Sequence, residues 1–234
     1  MFPLSATATV LAFPSVPVDW LAYESSSNTL LSDDATFVAT LNLTTNSGFA
    51  LPTTPGTLNN NFWLTAPSLT DSQTGNASLS TFEIRHLPTS GSPSYQVDIL
   101  LPKNSPLILA VGQLFADSSG ASDQISINTF NSNTPQQTNL LGFFSSDNGL
   151  IAFDQELTWN PTTNQLNPLT GNDGESQIAF FGVSNADKVS FIIPSAYGLG
   201  TGDTITFAIG TFIPEPSTTL LLLTPSLFLI RRKR

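Results

Sequence analysis

Between residues 35 and 44, apolar and polar side chains alternate. Phe37, Ala39, Leu41 and Leu43 fall on one side, and Thr36, Thr40, Asn42 and Thr44 on the other. Successive side chains of an extended chain point to opposite faces, so this two-residue period predicts a half-buried β-strand. The run Thr204-Ile205-Thr206-Phe207-Ala208-Ile209 repeats the pattern, with Ile205, Phe207 and Ile209 expected inward. Similar segments occupy residues 62–66, 79–87, 95–101, 107–115, 124–130, 150–159, 177–183 and 189–193. Between them stand Pro55-Gly56, Asp147-Asn148-Gly149, Gly171-Asn172-Asp173-Gly174 and Gly200-Thr201-Gly202-Asp203, residues that tolerate positive φ or preset a turn.

No window before residue 213 carries a helical period with caps. The expectation is therefore an all-β chain, an antiparallel β-sandwich or jelly-roll of roughly ten to twelve strands. Residues 19–212 form this domain, with polar loops at 25–28, 46–61 and 132–139. Residues 1–18 are expected to be the remnant of a signal peptide or a disordered arm. That stretch is mildly apolar and carries the small-x-small triplet Ala6-Thr7-Ala8, but no Lys or Arg precedes Arg85. A signal whose basic start lies upstream of Met1 fits this pattern.

Charge narrows the chemistry. Only 10% of the residues are charged, against roughly 25% in an average soluble protein, so polarity comes from Ser, Thr, Asn and Gln. Of seven cations, four stand at Arg231–Arg234, which leaves Arg85, Lys103 and Lys188 against 17 acids. Nucleic-acid binding needs clustered Lys and Arg to neutralise phosphate, and three scattered cations exclude it. Cysteine is absent, so there is no disulfide, no thiolate nucleophile and no Cys-based zinc site. With His86 as the only histidine, a His-pair metal site is excluded as well. No cofactor is expected.

Residues 213–234 place three blocks in order. A rigid breaker, Pro214-Glu215-Pro216, precedes an apolar run from Thr219 to Ile230, and four cations, Arg231, Arg232, Lys233 and Arg234, follow. Cations beside an apolar helix stay on the cytoplasmic side, so the preceding domain would face outward. This order resembles the PEP-CTERM sorting signal of Gram-negative and cyanobacterial exopolysaccharide producers. The resemblance implies export by the general secretion route and retention by a short C-terminal hydrophobic helix. It also implies cleavage by an exosortase-type membrane peptidase that recognises Pro214, Glu215 and Pro216, with Arg231–Arg234 left in the cytoplasm. It covers about a tenth of the chain and is silent on what the domain binds.

Three constellations in the domain carry chemistry. Asp154-Gln155-Glu156 sets two carboxylates at i and i+2 on one strand face, about 6–7 Å apart, a spacing related to acid and base pairs in glycoside hydrolases. The commoner outcome of such a pair is an outward polar face. Asp117, Asp123, Asp173 and Glu175 offer hard oxygens for calcium, but without the spacing of a calcium-binding loop they read more simply as solvated turns. Trp20, Trp63, Trp159, Tyr23, Tyr95 and Tyr197 would line a glycan groove or pack the core, the second being the commoner role. No serine is framed as Gly-x-Ser-x-Gly, so a nucleophile elbow is unsupported.

The expected function is that of a non-enzymatic, exported structural protein. It would be membrane-anchored as a precursor and then released to the cell surface or extracellular matrix, with exopolysaccharide or other matrix components as partners. The alternatives are a secreted glycoside hydrolase using Asp154 and Glu156, and a calcium- or glycan-binding module.

Overall fold

The computed structural model describes residues 18–24, 26–45, 49–50, 56–57, 80–86, 95–112, 114, 123–145, 149–151, 157–168, 177–193 and 204–212. Among them there are sixteen strands and no helix. All pairings are antiparallel. The chain opens with the short strands β1 (Val18–Trp20), β2 (Ala22–Glu24) and β3 (Thr29–Leu31), followed by β4 (Val38–Thr45). Next come β5 (Phe49–Ala50), β6 (Gly56–Thr57), β7 (Ser80–His86) and the long β8 (Tyr95–Gly112). The second half contributes β9 (Ile125–Asn131), β10 (Thr134–Gln136), β11 (Thr138–Ser145) and β12 (Gly149–Ile151). It closes with β13 (Leu157–Asn160), β14 (Gln165–Pro168), the long β15 (Gln177–Ile193) and β16 (Thr204–Phe212).

In β4 the alternation holds: Ala39 and Leu41 are buried, whereas Thr40, Asn42 and Thr44 are exposed. The strand starts at Val38, after a turn in which Ala35 adopts a φ of 55°. In β16 the expected inward residues Ile205, Phe207 and Ile209 are fully buried or nearly so. Residues 62–66 and the helix expected at the C-terminus lie outside the described residues.

Two pairs of expected strands are single strands. Residues 95–101 and 107–115 were expected to be separate, yet β8 runs unbroken from Tyr95 to Gly112. Likewise 177–183 and 189–193 are the two halves of β15. The long strands pair with each other along their whole length through two register shifts. Between the pairs Ala186↔Ser105 and Lys188↔Leu100, β8 carries the extra residues Leu101 to Asn104. Such a bulge leaves residues outside the ladder and bends the strand, and Pro102 suits it because proline has no N–H to give. On β15 the two irregularities each reverse the facing of the side chains. Val183, Ala186 and Val189 therefore all reach the same core although each lies three positions beyond the last.

The bend divides this strand pair between two sets of partners. The first half of β8 pairs with β4, and its partner half of β15 pairs with β9. The second half of β8 pairs with β16, and its partner half of β15 pairs with β11. Side chains from the two sets meet. The Phe191 ring lies 4.8 Å from that of Phe207, and Trp159 of β13 lies 4.6 Å from Phe181. These contacts join Val97, Ile99, Ile127, Leu109 and Ile209 in one apolar core.

Beyond β8's bend both faces are buried, which strict alternation does not predict. A second cluster gathers Ile108, Ala110, Phe180 and Ala208 on the other face with Val18 and Trp20. Trp20 meets Phe180 edge-on at 6.3 Å. Trp20 also lies opposite Gly210 in the β1–β16 ladder, where the missing side chain makes room for the indole.

Residues 132–139, expected to be a loop, form a hairpin instead. Asn131 pairs with Thr134 across Ser132 and Asn133, whose φ angles are 49° and 65°. Two positive φ values are what a two-residue type I′ connection demands. The loop expected at 46–61 contains β5 and β6, each paired with β7.

Candidate functional site

The bend of β8 produces a cleft of about 370 Å³. Lys103 and Asn104, displaced from the ladder by the bulge, form one wall with Ser105 and Pro106, where β8 rejoins β15. The turn between β3 and β4 forms another with Ser32, Asp34, Thr36 and Phe37. Asp19 of β1 and its cross-strand partner Thr211 close the cleft together with Phe212.

Hydrogen bonds fix the 32–37 turn. Ser32 N–H donates to Phe37 O at 3.0 Å, and Ala35 N–H to Ser32 O at 2.8 Å. Phe37 N–H donates to Ser32 Oγ at 2.9 Å. Three donors then converge on Asp34 Oδ1: Ser32 Oγ at 2.7 Å, Thr36 N at 2.9 Å and Thr36 Oγ1 at 2.7 Å. Donors to a carboxylate favour its charged form. The Ser32 hydroxyl first, then the Thr36 amide and hydroxyl, lower the Asp34 pKa from 3.8 to about 2. Asp34 is therefore a fixed anion near neutral pH and unfit to act there as a general acid.

Asp19 is only 4% exposed, and its Oδ1 accepts from Asp33 N–H at 3.3 Å. Lys103 brings a cation to the same cleft. Anionic acceptors, an ammonium donor, hydroxyls and the apolar faces of Phe37 and Pro106 thus share one depression.

A second polar array lies on the opposite side of the β4–β8–β15–β9 layer from the core. Asn42, Asp98, Ser190 and Asn128 stand in one cross-strand row. Asp98 Oδ1 accepts from Gln96 Nε2 at 2.9 Å and from Ser190 Oγ, and Oδ2 lies 3.1 Å from Lys188 Nζ. Burial alone would raise the Asp98 pKa, but Ser190, Gln96 and Lys188 outweigh it and the net shift is downward. Lys188 Nζ also sits 5.7 Å from the centre of the Phe130 ring, within cation–π range. This array braces three strands across an open surface. Pairs so exposed contribute about 0–1 kcal/mol.

The residues singled out in the sequence fare differently. Asp123 is buried, 1% exposed, and does not lie in a solvated turn. Burial first, and the Asp123 carboxylate second, raise the phenol pKa of Tyr95. Asp123 stands just before β9, where the chain enters the core. Among the described residues no group of three or more His, Cys, Asp or Glu side chains is arranged to hold a metal. Asp117, Asp154, Glu156, Asp173 and Glu175 lie outside the described residues, as do Pro214–Pro216 and Arg231–Arg234.

Aromatic residues expected either in a groove or in the core take the core where they are described. Trp20, Tyr23 and Tyr95 are buried, and Trp159 packs on Phe181. Tyr23 still hydrogen-bonds outward, from its hydroxyl to Asn28 Oδ1 at 2.9 Å.

No motif in the sequence marks Asp19, Asp34 or Lys103 as a site residue. The Ser32-x-Asp34-x-Thr36 spacing does announce a side-chain-capped turn, but nothing local places Lys103 beside it. Comparison with protein-family models, curated proteins and solved structures finds no match to this chain.

Proposed function

We infer that the chain is an exported, non-enzymatic β-sandwich protein of the cell surface or extracellular matrix. It is sorted through its PEP-CTERM-like segment and cleaved by an exosortase-type peptidase near Pro214-Glu215-Pro216. The observation that carries this reading is the order breaker, apolar run and cationic end in residues 213–234, directly after β16 ends at Phe212. Cleavage at the breaker releases the domain with almost no tail.

The facing contacts Phe191–Phe207 and Trp159–Phe181 support the sandwich, since each joins strands from the two sets of partners on either side of the bend. A surface poor in cations and rich in short polar side chains suits a hydrated polysaccharide matrix and repels polyanions. Among the described residues no helix is long and apolar enough to cross a membrane. The anchoring step is assigned to residues 217–230, which precede the cations.

The test is the intact mass and C-terminal peptide of the protein recovered from the envelope and medium of its native host. A terminus between Pro214 and Ser217 in the extracellular fraction is the expected result. Full-length chain ending at Arg234 in the cytoplasm would remove the reading.

A further inference from the structure

The cleft at the β8 bulge holds charges of both signs within about 370 Å³, at the lower end of the range for small-ligand sites. A metal cation would meet two carboxylates but also the Lys103 ammonium, and a polyanion would meet Asp19 and Asp34. A neutral ligand with many hydroxyls avoids both conflicts. Each hydroxyl can donate to a carboxylate and accept from an ammonium or amide, and the C–H faces of a sugar ring match Phe37 and Pro106.

We propose that this cleft binds an uncharged saccharide unit, with Asp19 and Asp34 accepting from its hydroxyls and Lys103 and Asn104 donating to its oxygens. The three donors inside the turn all end on Asp34 Oδ1, so a ligand hydroxyl is met by Oδ2. A turn already fixed by its own hydrogen bonds loses little freedom on binding. The choice of a saccharide rests on the matrix reading above, whereas the location of the site rests on the cleft alone.

The test is calorimetric titration of the full-length protein in mild detergent with cellotetraose and fully N-acetylated chitotetraose, and with alginate oligomers and calcium chloride as counter-probes. One neutral tetrasaccharide should bind, and Lys103→Ala and Asp34→Asn should each weaken it about ten-fold, the loss of one hydrogen bond to a charged group. Asn42→Ala, on the remote sheet face, should bind as the parent does. Lys103→Ala should melt at the parent temperature, which separates lost binding from lost folding. The proposal is overturned if neither tetrasaccharide binds, if Asn42→Ala weakens binding as much as Lys103→Ala, or if alginate or calcium binds more tightly. Saccharide binding by a chain that is never exported would keep the cleft and remove the sorting reading. An exported, cleaved chain that binds neither sugar would do the reverse.

Discussion

Gly210 tests how tightly the second apolar cluster is closed. A Cβ at this position would press on Val18 Cγ1 and stand 2.9 Å from Ile108 Cγ2 and 3.1 Å from Trp20 Cε3. Two effects oppose each other in Gly210→Ala. Alanine narrows the unfolded ensemble, which stabilises the fold by roughly 0.4–1 kcal/mol, while overpacking a filled core costs roughly 1–3 kcal/mol. Overpacking should win, because Val18 and Ile108 are fully buried and branch at Cβ, so neither side chain swings away freely. The net loss is expected to be about 1–2 kcal/mol, or a melting temperature lower by about 2–8 °C for a domain of this size. Urea unfolding followed by tryptophan fluorescence and circular dichroism measures it. Val18→Ala alone should cost about 1.6 kcal/mol, at roughly 0.8 kcal/mol for each buried carbon removed. Combined with Gly210→Ala it relieves the tightest contact, so the double variant should beat the sum of the singles by about 1 kcal/mol. A Gly210→Ala protein as stable as its parent, or strict additivity in the pair, would refute the packing described for β1.

Other sites make smaller claims. Thr129 and Thr138 are buried and share a 3.1 Å hydroxyl hydrogen bond. Either Thr→Val change alone should cost about 1–2 kcal/mol in urea unfolding, and both together less than their sum, because the double change leaves neither hydroxyl stranded. Asn133, with φ at 65°, should resist Asn133→Val by about 1–2 kcal/mol, since a β-branched residue is strained there; thermal unfolding reads the difference. The Asp34 pKa is lowered from 3.8 to about 2 on folding, so its contribution is present above about pH 4 and lost as pH falls through 2. The melting-temperature gap between parent and Asp34→Ala should therefore be widest above pH 4 and close towards pH 2, and a gap independent of pH would contradict the capped turn.

What could be read in advance was set by how many faces each strand buries. β4 has one wet face, and its alternation is plain in Ala39, Leu41 and Leu43. β11 reads Thr-Asn-Leu-Leu-Gly-Phe-Phe-Ser, and no alternation announced it, because Leu141 belongs to the second cluster and Phe143 to the main core. Pro102-Lys103-Asn104 looked like the end of a strand and proved to be a bulge inside one. Ser132-Asn133 lacks the glycine of a typical hairpin turn, so β10 reads as loop in the sequence. The cleft was illegible for a different reason: Asp19, Asp34, Lys103 and Thr211 are distant in sequence and meet only through the β1–β16 ladder and the bend in β8.

The pairing of Val18 with Phe212 brings the first and last described residues within about 5 Å of each other. A domain whose ends leave from a single corner is held like a flag at one edge, with the rest of its body free. The saccharide cleft opens at that same corner, beside Asp19, Thr211 and Phe212. Before cleavage, tension between a bound ligand and the chain beyond Phe212 would run through the residues around the cleft, the β8 bulge among them, and most of the core would stand outside the line of force.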